Sequence, residues 1–337
     1  MPLTRISPAH LDTNDQPSTA IAAYVEAARA QSIALTGRDD FALSADRAVG
    51  TLRPNSQRRA ELFALTERDG KLRAQDDDTD LGFRGFLAVI YPLDRRTDTV
   101  EADVYPVADG ALGELISSFA TLAEDRTTLS LWAKIPFGEP MDEHPHAQAL
   151  RAEGYELALV EQAAELGIGT LGAPVLPAGL RTEFFTGIMP PTDLIDSFLE
   201  IMAVADTDVP SAEPAPAREW TRQMLEEAAA HHARRSATIL NVVLADAAGV
   251  VAFTTANVDP ERPAALEQGL TVTQRRARGQ GLATLAKHVL AAEARARYPE
   301  LERITTFNAL DNAAMLAVNN KIGLVPKFYE TNWIKKL

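Results

Sequence analysis

The sequence predicts an α+β fold built as two tandem copies of one unit. Three observations carry that expectation. Helical and strand-like periodicities recur in the same order in both halves, one 50-residue spacing repeats, and a Gly/Pro-dense stretch divides the halves. A chain of 337 residues accommodates two domains of roughly 150 residues each.

The elements follow in order. Helical periodicity runs through 18–35, and strand-like runs occupy 59–67, 82–93 and 99–107, separated by polar turn-rich stretches such as RAQDDDTD at 73–80. A helix over 110–125, a strand over 128–136 and a short helix over 146–154 lead into the segment 155–166. GIGTLGAPVLPAG, 167–179, has no clear period and reads as a linker. Beyond it come a strand at 182–188, helices within 191–206 and 215–235, strands at 237–246, 250–258 and 266–274, and a long helix over 280–298. A strand at 302–309, a short helix over 312–323 and closing strands over 324–336 complete the chain. The closing segment KFYETNWIKKL is suited to pairing between domains or between chains.

The two halves match in spacing as well as order. Val104 ends a strand and Gly154 a short helix, 154 − 104 = 50; Thr273 and Gly323 do the same, 323 − 273 = 50. An apolar residue follows each glycine, Tyr155 and Leu324.

Charge and composition narrow the function. Lys and Arg total 33 against 47 Asp and Glu, a net −14, which argues against nucleic-acid binding over a broad surface and suits cationic partners. The chain lacks cysteine, which excludes disulfides, thiolate metal sites and a Cys nucleophile. His144-Pro-His146 has no acidic ligands at metal spacing, so no metal is expected. The N-terminal twenty residues have no apolar core and no run approaches a membrane span, so the simplest expectation is a cytoplasmic protein without a membrane partner.

One stretch departs from this ordinary background: TVTQRRARGQGLATLAKHVL, 271–290. A short strand meets Arg275, Arg276 and Arg278, then Gly279 and Gly281, then a helix. A helix start exposes unpaired N–H groups at the positive end of its dipole, and glycine lets a phosphate approach the backbone. Neighbouring arginines add charge-assisted contacts, so the loop is shaped for a pyrophosphate or another polyanion. A phosphate-loop G-x-x-x-x-G-K-S/T is absent, and a dinucleotide G-x-G-x-x-G fails at Thr284.

The loop resembles the R/Q-x-x-G-x-G/A motif of the GNAT N-acetyltransferases. It fits in two overlapping registers, Arg276-Ala-Arg-Gly279-Gln-Gly281 and Arg278-Gly-Gln-Gly281-Leu-Ala283. TTFNALDNAAMLAVNNKIGLVP, 305–326, is similar to the family's fifth strand, Asn, short helix and terminal glycine segment. In form it looks like actinobacterial tandem-GNAT proteins; the first half resembles the fold only.

The resemblance implies two GNAT-fold domains, each a mixed, mostly antiparallel twisted sheet flanked by helices. Their expected bounds are 1–166 for a degenerate copy and 181–337 for an acetyl-CoA-binding copy, joined by 167–180. It implies acetyl-CoA as co-substrate and a primary amine, on a small molecule or a peptide, as acceptor. The pantetheine amides would pair with the backbone at Val272 and Thr273, between strands that splay apart. Arg276, Arg278, Gly279, Gln280, Gly281, Leu282 and Ala283 would hold the pyrophosphate, with Asn308 and Asn312 nearby. Arg275 or Lys287 would reach the adenosine 3′-phosphate. Asn312 is equally a good N-cap, Asn308 equally a strand-end turn residue, and Met315 is expected in the core.

Direct attack by an amine needs a base and a partner for the departing thiolate. Glu267 is the candidate base, though a solvated strand-end carboxylate has the same sequence signature. The family's acid is often a tyrosine on the short helix, and this chain has Asn319 there, leaving Tyr329 or water as donor. That departure keeps open a non-catalytic acyl-CoA-binding regulatory protein, and a scaffold with a relic loop. Within the catalytic class, mycothiol synthase shares the tandem organisation with one active half. In the first copy, Asp109 stands where the count places Arg278, and Glu143 where it places Asn312, so no CoA site is expected there. Monomer and homodimer both stay open.

Overall fold

Runs rich in β-branched and aromatic residues set the strands of the first unit. These are β1 (Leu3–Arg5), β2 (Arg58–Thr66), β3 (Phe83–Pro92), β4 (Thr99–Pro106) and β5 (Thr128–Pro136). In the computed structural model, which describes residues 3–6, 18–67, 82–208, 210, 219–233 and 237–337, β1 to β4 pair antiparallel in sequence order. β4 and β5 pair parallel, from Thr99↔Thr128 to Asp103↔Trp132. Helices α1 (Thr19–Thr36) and α2 (Ala45–Leu52) cover one face of this sheet, and α3 (Ala111–Phe119) and α4 (Pro145–Ala152) the other. Ser18 caps α1, its hydroxyl accepting from Ile21 N–H at 3.3 Å, and Gly37 ends it with φ 78°.

The second unit repeats this pattern. β6 (Glu156–Gly167) leads into it, and Ile168 N–H at its end donates to Glu302 O at 2.8 Å. β7 (Arg181–Thr186), β8 (Thr238–Asp246), β9 (Gly249–Val258) and β10 (Ala265–Thr273) pair antiparallel in turn. β11 (Arg303–Ala309) joins β10 in parallel. Helices α5 (Ile195–Asp208) and α6 (Arg222–His232) pack on one face; α7 (Leu282–Arg297) builds the core of the other, with α8 (Ala313–Ile322) beside it. The architecture is therefore α+β, a mixed sheet with flanking helices in each unit. Gly154 and Gly323, the matched ends of α4 and α8, both sit in the left-handed region, at φ 83° and 89°.

Three differences from expectation stand out. β1 and α2 are too short to read from the sequence; β1 has three residues, and α2 has eight with a glycine among them. The polar stretch 73–80 and the outer parts of the expected 215–235 helix lie outside the described residues. The contacts divide the chain into Met1–Glu161 with Lys327–Leu337, and Gln162–Pro326.

The closing strand β12 (Val325–Lys336) thus groups with the first unit, not with the copy that precedes it in sequence. It pairs antiparallel with β5 from Phe328↔Pro136 to Lys336↔Thr128. Phe328 and Trp333 are fully buried there, and Asn332 Nδ2 donates to Ser130 Oγ at 2.9 Å.

Candidate active site

The site begins where two parallel strands part. β10 and β11 pair from Ala265↔Arg303 to Gln268↔Thr306 and no further, and β10 carries an irregularity between Gln268 and Thr271. Buried side chains hold that irregularity. Gln268 Nε2 donates to Thr254 Oγ1 (2.8 Å) and Thr255 O (2.7 Å), and the Thr254 and Thr271 hydroxyls bond at 2.8 Å. Beyond it, residues 271–273 have lost their parallel partner, so the β11 side of their backbone lines a gap.

The chain then makes a tight 3-10 turn, Arg275–Ala277, that sinks Ala277 into the core. Gly279 and Gly281 both adopt φ 77°, a conformation costly for any residue with a Cβ. Gly281 is the N-cap of α7 and no side chain caps that end. The first N–H groups of a sixteen-residue helix are therefore left for something else.

The arginines divide their work. Arg276 is committed elsewhere, bidentate to Asp246 at 2.6 and 3.0 Å, and that bond holds the Asp246 carboxyl below its usual range. Arg278 pairs with Asp208, the last residue of α5, and Arg275 reaches the same carboxylate (3.2 Å) and Thr207 Oγ1 (3.0 Å). Burial alone would push the Asp208 carboxyl up, but the two guanidinium groups together hold it below the ordinary value.

A cavity of about 630 Å³ opens at this point, within the second unit. Val272, Thr273, Arg278, Gly279, Gly281, Leu282, Ala283 and Asn312 line it, so eight of the eleven residues expected at a cofactor meet there. Asn312 is also the N-cap of α8, its Oδ1 accepting from Met315 N–H at 3.1 Å. The second motif register is the one whose three signature positions, Arg278, Gly281 and Ala283, all line the cavity. Arg276 and Gln280 do not line it, and Asn308 is turned to its own strand, donating to Thr306 Oγ1 at 3.2 Å. Met315, expected in the core, is half-buried on the cavity wall. Asp208, Thr284 and Lys321 also line it; Thr284 simply follows Ala283 in the first turn of α7, whereas sequence reasoning missed Asp208 and Lys321 because only the tertiary fold brings α5 and the last turn of α8 to this loop.

The expected catalytic residues fall in different places. Glu267 pairs with Thr305, one step before the strands part, and is half-buried. Asn319 is buried at 2% exposure on α8. Lys287, read as a phosphate contact, is equally buried and donates to Asn319 Oδ1 at 2.8 Å, so it cannot reach an exposed phosphate. Tyr329 belongs to β12 in the first unit, where its ring lies 5.3 Å from Phe137.

The first unit's counterpart differs in kind. Counted from helix caps, Gly110 corresponds to Gly281 and His144 to Asn312, so Asp109 matches Gln280 and Glu143 lies just outside the helix. The first turn of its helix α3 holds Glu114, whose carboxylate accepts from Arg84 Nη1 at 2.7 Å. The cavity of about 670 Å³ in this unit is walled by alanines of α1, Phe83 and Phe86, and no residue of the 108–113 loop lines it. Among the described residues no group of three or more His, Asp or Glu residues is placed to hold a metal ion, and no helix is long and apolar enough to cross a membrane.

Comparison with known proteins agrees with this architecture. Residues 188–325 match the family model for an acetyltransferase (GNAT) domain. No curated protein matches the sequence. Among solved structures, the chain is similar to a tandem GNAT protein from the clavulanic acid biosynthesis pathway, at 19% identity and TM-score 0.73 over 99% of this chain and 98% of that one. A GCN5-related N-acetyltransferase from Sphaerobacter thermophilus gives 14% identity and TM-score 0.60 over 99% and 95%. A GNAT-family acetyltransferase from Colwellia psychrerythraea gives 11% and 0.51 over the full length of both. The whole chain thus has the tandem GNAT fold, and the match to the family model lies in its second half, over residues 188–325.

Proposed function

We propose that the chain is an acyltransferase that moves the acetyl group of acetyl-CoA to a primary amine, with one working site, in the second unit. The observation that carries this reading is the parting of β10 and β11 directly beside a cavity floored by an uncapped helix start and two left-handed glycines. Bound acetyl-CoA would supply the thioester. The N–H groups from Gly279 to Ala283 are free to hold a pyrophosphate, and Arg278 and Lys321 put positive charge on the wall. Lys321 replaces Arg275 and Lys287 as the candidate for the 3′-phosphate.

At the other end, Glu267 adjoins the point where the strands separate and is the candidate base, acting through water. When an amine nitrogen bonds the carbonyl carbon and the C–S bond breaks, the nitrogen loses a proton and the sulfur keeps the electron pair. Calorimetry with acetyl-CoA is expected to give one site per chain, and a panel of primary amines to yield acetylated product. No heat of binding would defeat the proposal. Binding without transfer to any amine would favour the second reading, a non-catalytic acyl-CoA sensor, for which the buried Asn319 at the tyrosine position speaks.

Asp208 bears directly on affinity. Its carboxylate occupies Arg275 and Arg278 at the cavity mouth, so a phosphate must compete with it. Asp208→Asn removes one negative charge and is expected to tighten CoA binding about 3–10-fold, near 1 kcal/mol at a half-exposed site. Calorimetric titration checks this; weaker binding would mean that the clamp positions the arginines instead of competing for them.

A further inference from the structure

The strands of the first unit part as those of the second do. β4 and β5 pair from Thr99↔Thr128 to Asp103↔Trp132 and no further, although β4 runs to Pro106 and β5 to Pro136. The cavity of about 670 Å³ opens at that parting, with Pro106, Val107, Lys134 and Pro136 on its walls. Its chemistry is unlike that of the cavity in the second unit. Pro106 and Pro136 have no N–H to give, where the second unit offers the backbone of 271–273. The start of α4 is closed as well: His144 caps it, its Nδ1 accepting from His146 N–H at 3.2 Å. Ala23, Ala27, Ala30 and Ala34 of α1, with the Phe83 and Phe86 rings 5.2 Å apart, make the wall largely apolar. A space of this size, apolar with a few polar groups, has the form of a small-molecule site.

Three of the polar side chains on that wall have unused capacity. His146 Nδ1 lies 3.0 Å from Lys134 O; a carbonyl only accepts, so Nδ1 carries the proton and Nε2 keeps a lone pair. Burial, with His144 beside it, pushes this imidazole down to about 4, so it is uncharged at neutral pH. Nε2 makes no hydrogen bond among the described residues, and neither does Lys134 Nζ. The Glu330 carboxylate is 3.9 Å from that ammonium, near enough to balance its charge and too far to accept a hydrogen bond. Gln31 Oε1 is buried without a partner, an arrangement that a bound donor would relieve.

The charges choose the head of the ligand. A carboxylate would face Glu26 on the wall and Glu330 beside Lys134, and an ammonium would face Lys134 itself. A hydroxyl brings no net charge, and it can both accept from the lysine and donate to the imidazole or the amide oxygen. We propose that the cavity of the first unit binds a small neutral molecule with an apolar body and a hydroxyl head, an alcohol or a phenol. The degenerate copy keeps the crevice of the fold and changes its occupant. This site is separate from the acetyl-CoA site of the second unit and does not depend on it.

The test compares three heads on one body. Cinnamyl alcohol, cinnamate and cinnamylammonium are each titrated into the full chain by calorimetry at neutral pH. The alcohol is expected to bind once per chain, at least ~10-fold more tightly than either charged head. His146→Phe keeps a ring and removes the lone pair, and is expected to weaken the alcohol about 5-fold, the worth of one hydrogen bond. Ala27→Trp fills the cavity and is expected to abolish binding. A circular-dichroism melt separates loss of the site from loss of the fold, and if Ala27→Trp does not fold, His146→Phe decides alone. No saturable binding of the alcohol by the parent would overturn the inference. So would a charged head that binds as tightly as the alcohol, or binding that either folded variant leaves unchanged. None of these outcomes bears on acetyl-CoA, which is titrated separately.

Discussion

An Arg278→Glu, Gly281→Asp variant is expected to bind acetyl-CoA at least ~100-fold more weakly than the parent, about 2.7 kcal/mol, and to stay folded. Each change acts on a different part of the anion site. Arg278 is a cation on the cavity wall, and its reversal leaves two carboxylates, the new one and Asp208, facing the place of a phosphate. At Gly281 no heavy atom lies within 4 Å of a built Cβ, so the substitution meets no neighbour, but φ 77° costs it about 1–2 kcal/mol of backbone strain. Aspartate is also a strong N-cap, and its carboxylate would take the very N–H groups of α7 proposed to receive the pyrophosphate. Calorimetry measures the loss, and a circular-dichroism melt shows that the fold survives. Residual binding at near-parent affinity would point to the first unit, which carries Asp109 before α3 and Glu114 in its first turn, and would contradict the proposal of one working site in the second unit.

Trp333→Ala has the largest expected effect on stability, about 3–5 kcal/mol, and it falls on the first unit. The indole is fully buried in a core with Leu131, Val104, Leu115 and Tyr155, although Trp333 lies on the closing strand. Its Nε1–H donates to Thr331 Oγ1 at 2.9 Å, and the Arg151 guanidinium sits 5.3 Å from the ring centroid. Truncation empties that space and leaves Thr331 without its donor. Urea unfolding should move to a lower midpoint with the change confined to the transition of this unit. A loss below 1 kcal/mol would mean that β12 is only loosely seated against β5.

Much of the architecture was readable because it depends on local pattern. Alternation and helical period located most strands and helices, and the spacing between Val104 and Gly154 marked the repeat because both helices need a left-handed glycine to stop. The loop from Arg278 to Ala283 was readable for the same reason: glycine conformation and helix ends are local physics. Which partner a charged group selects is not. Arg276 and Arg278 are two residues apart, yet one meets Asp246 at a β-turn and the other Asp208 at a helix end. Lys287 was misplaced in the same way, since burial by a neighbouring helix leaves no trace in its own heptad. Counting across the repeat also misaligned Asp109 with Arg278, because Gly110 lies six residues after Val104 and Gly281 eight after Thr273: 281 − 110 = 171 against an offset of 169.

The seating of β12 against β5 has a bearing on how the chain comes off the ribosome. β1 to β5 are made before residue 137, but the strand that pairs with β5 is translated only after the whole of 162–326. Until then β5 presents a bare hydrogen-bonding edge, and the pocket for Trp333 has nothing in it. The segment made first is thus completed last, and vectorial synthesis alone cannot finish it. A nascent chain stalled short of residue 327 would display that open edge to other chains and invite aggregation or a holdase.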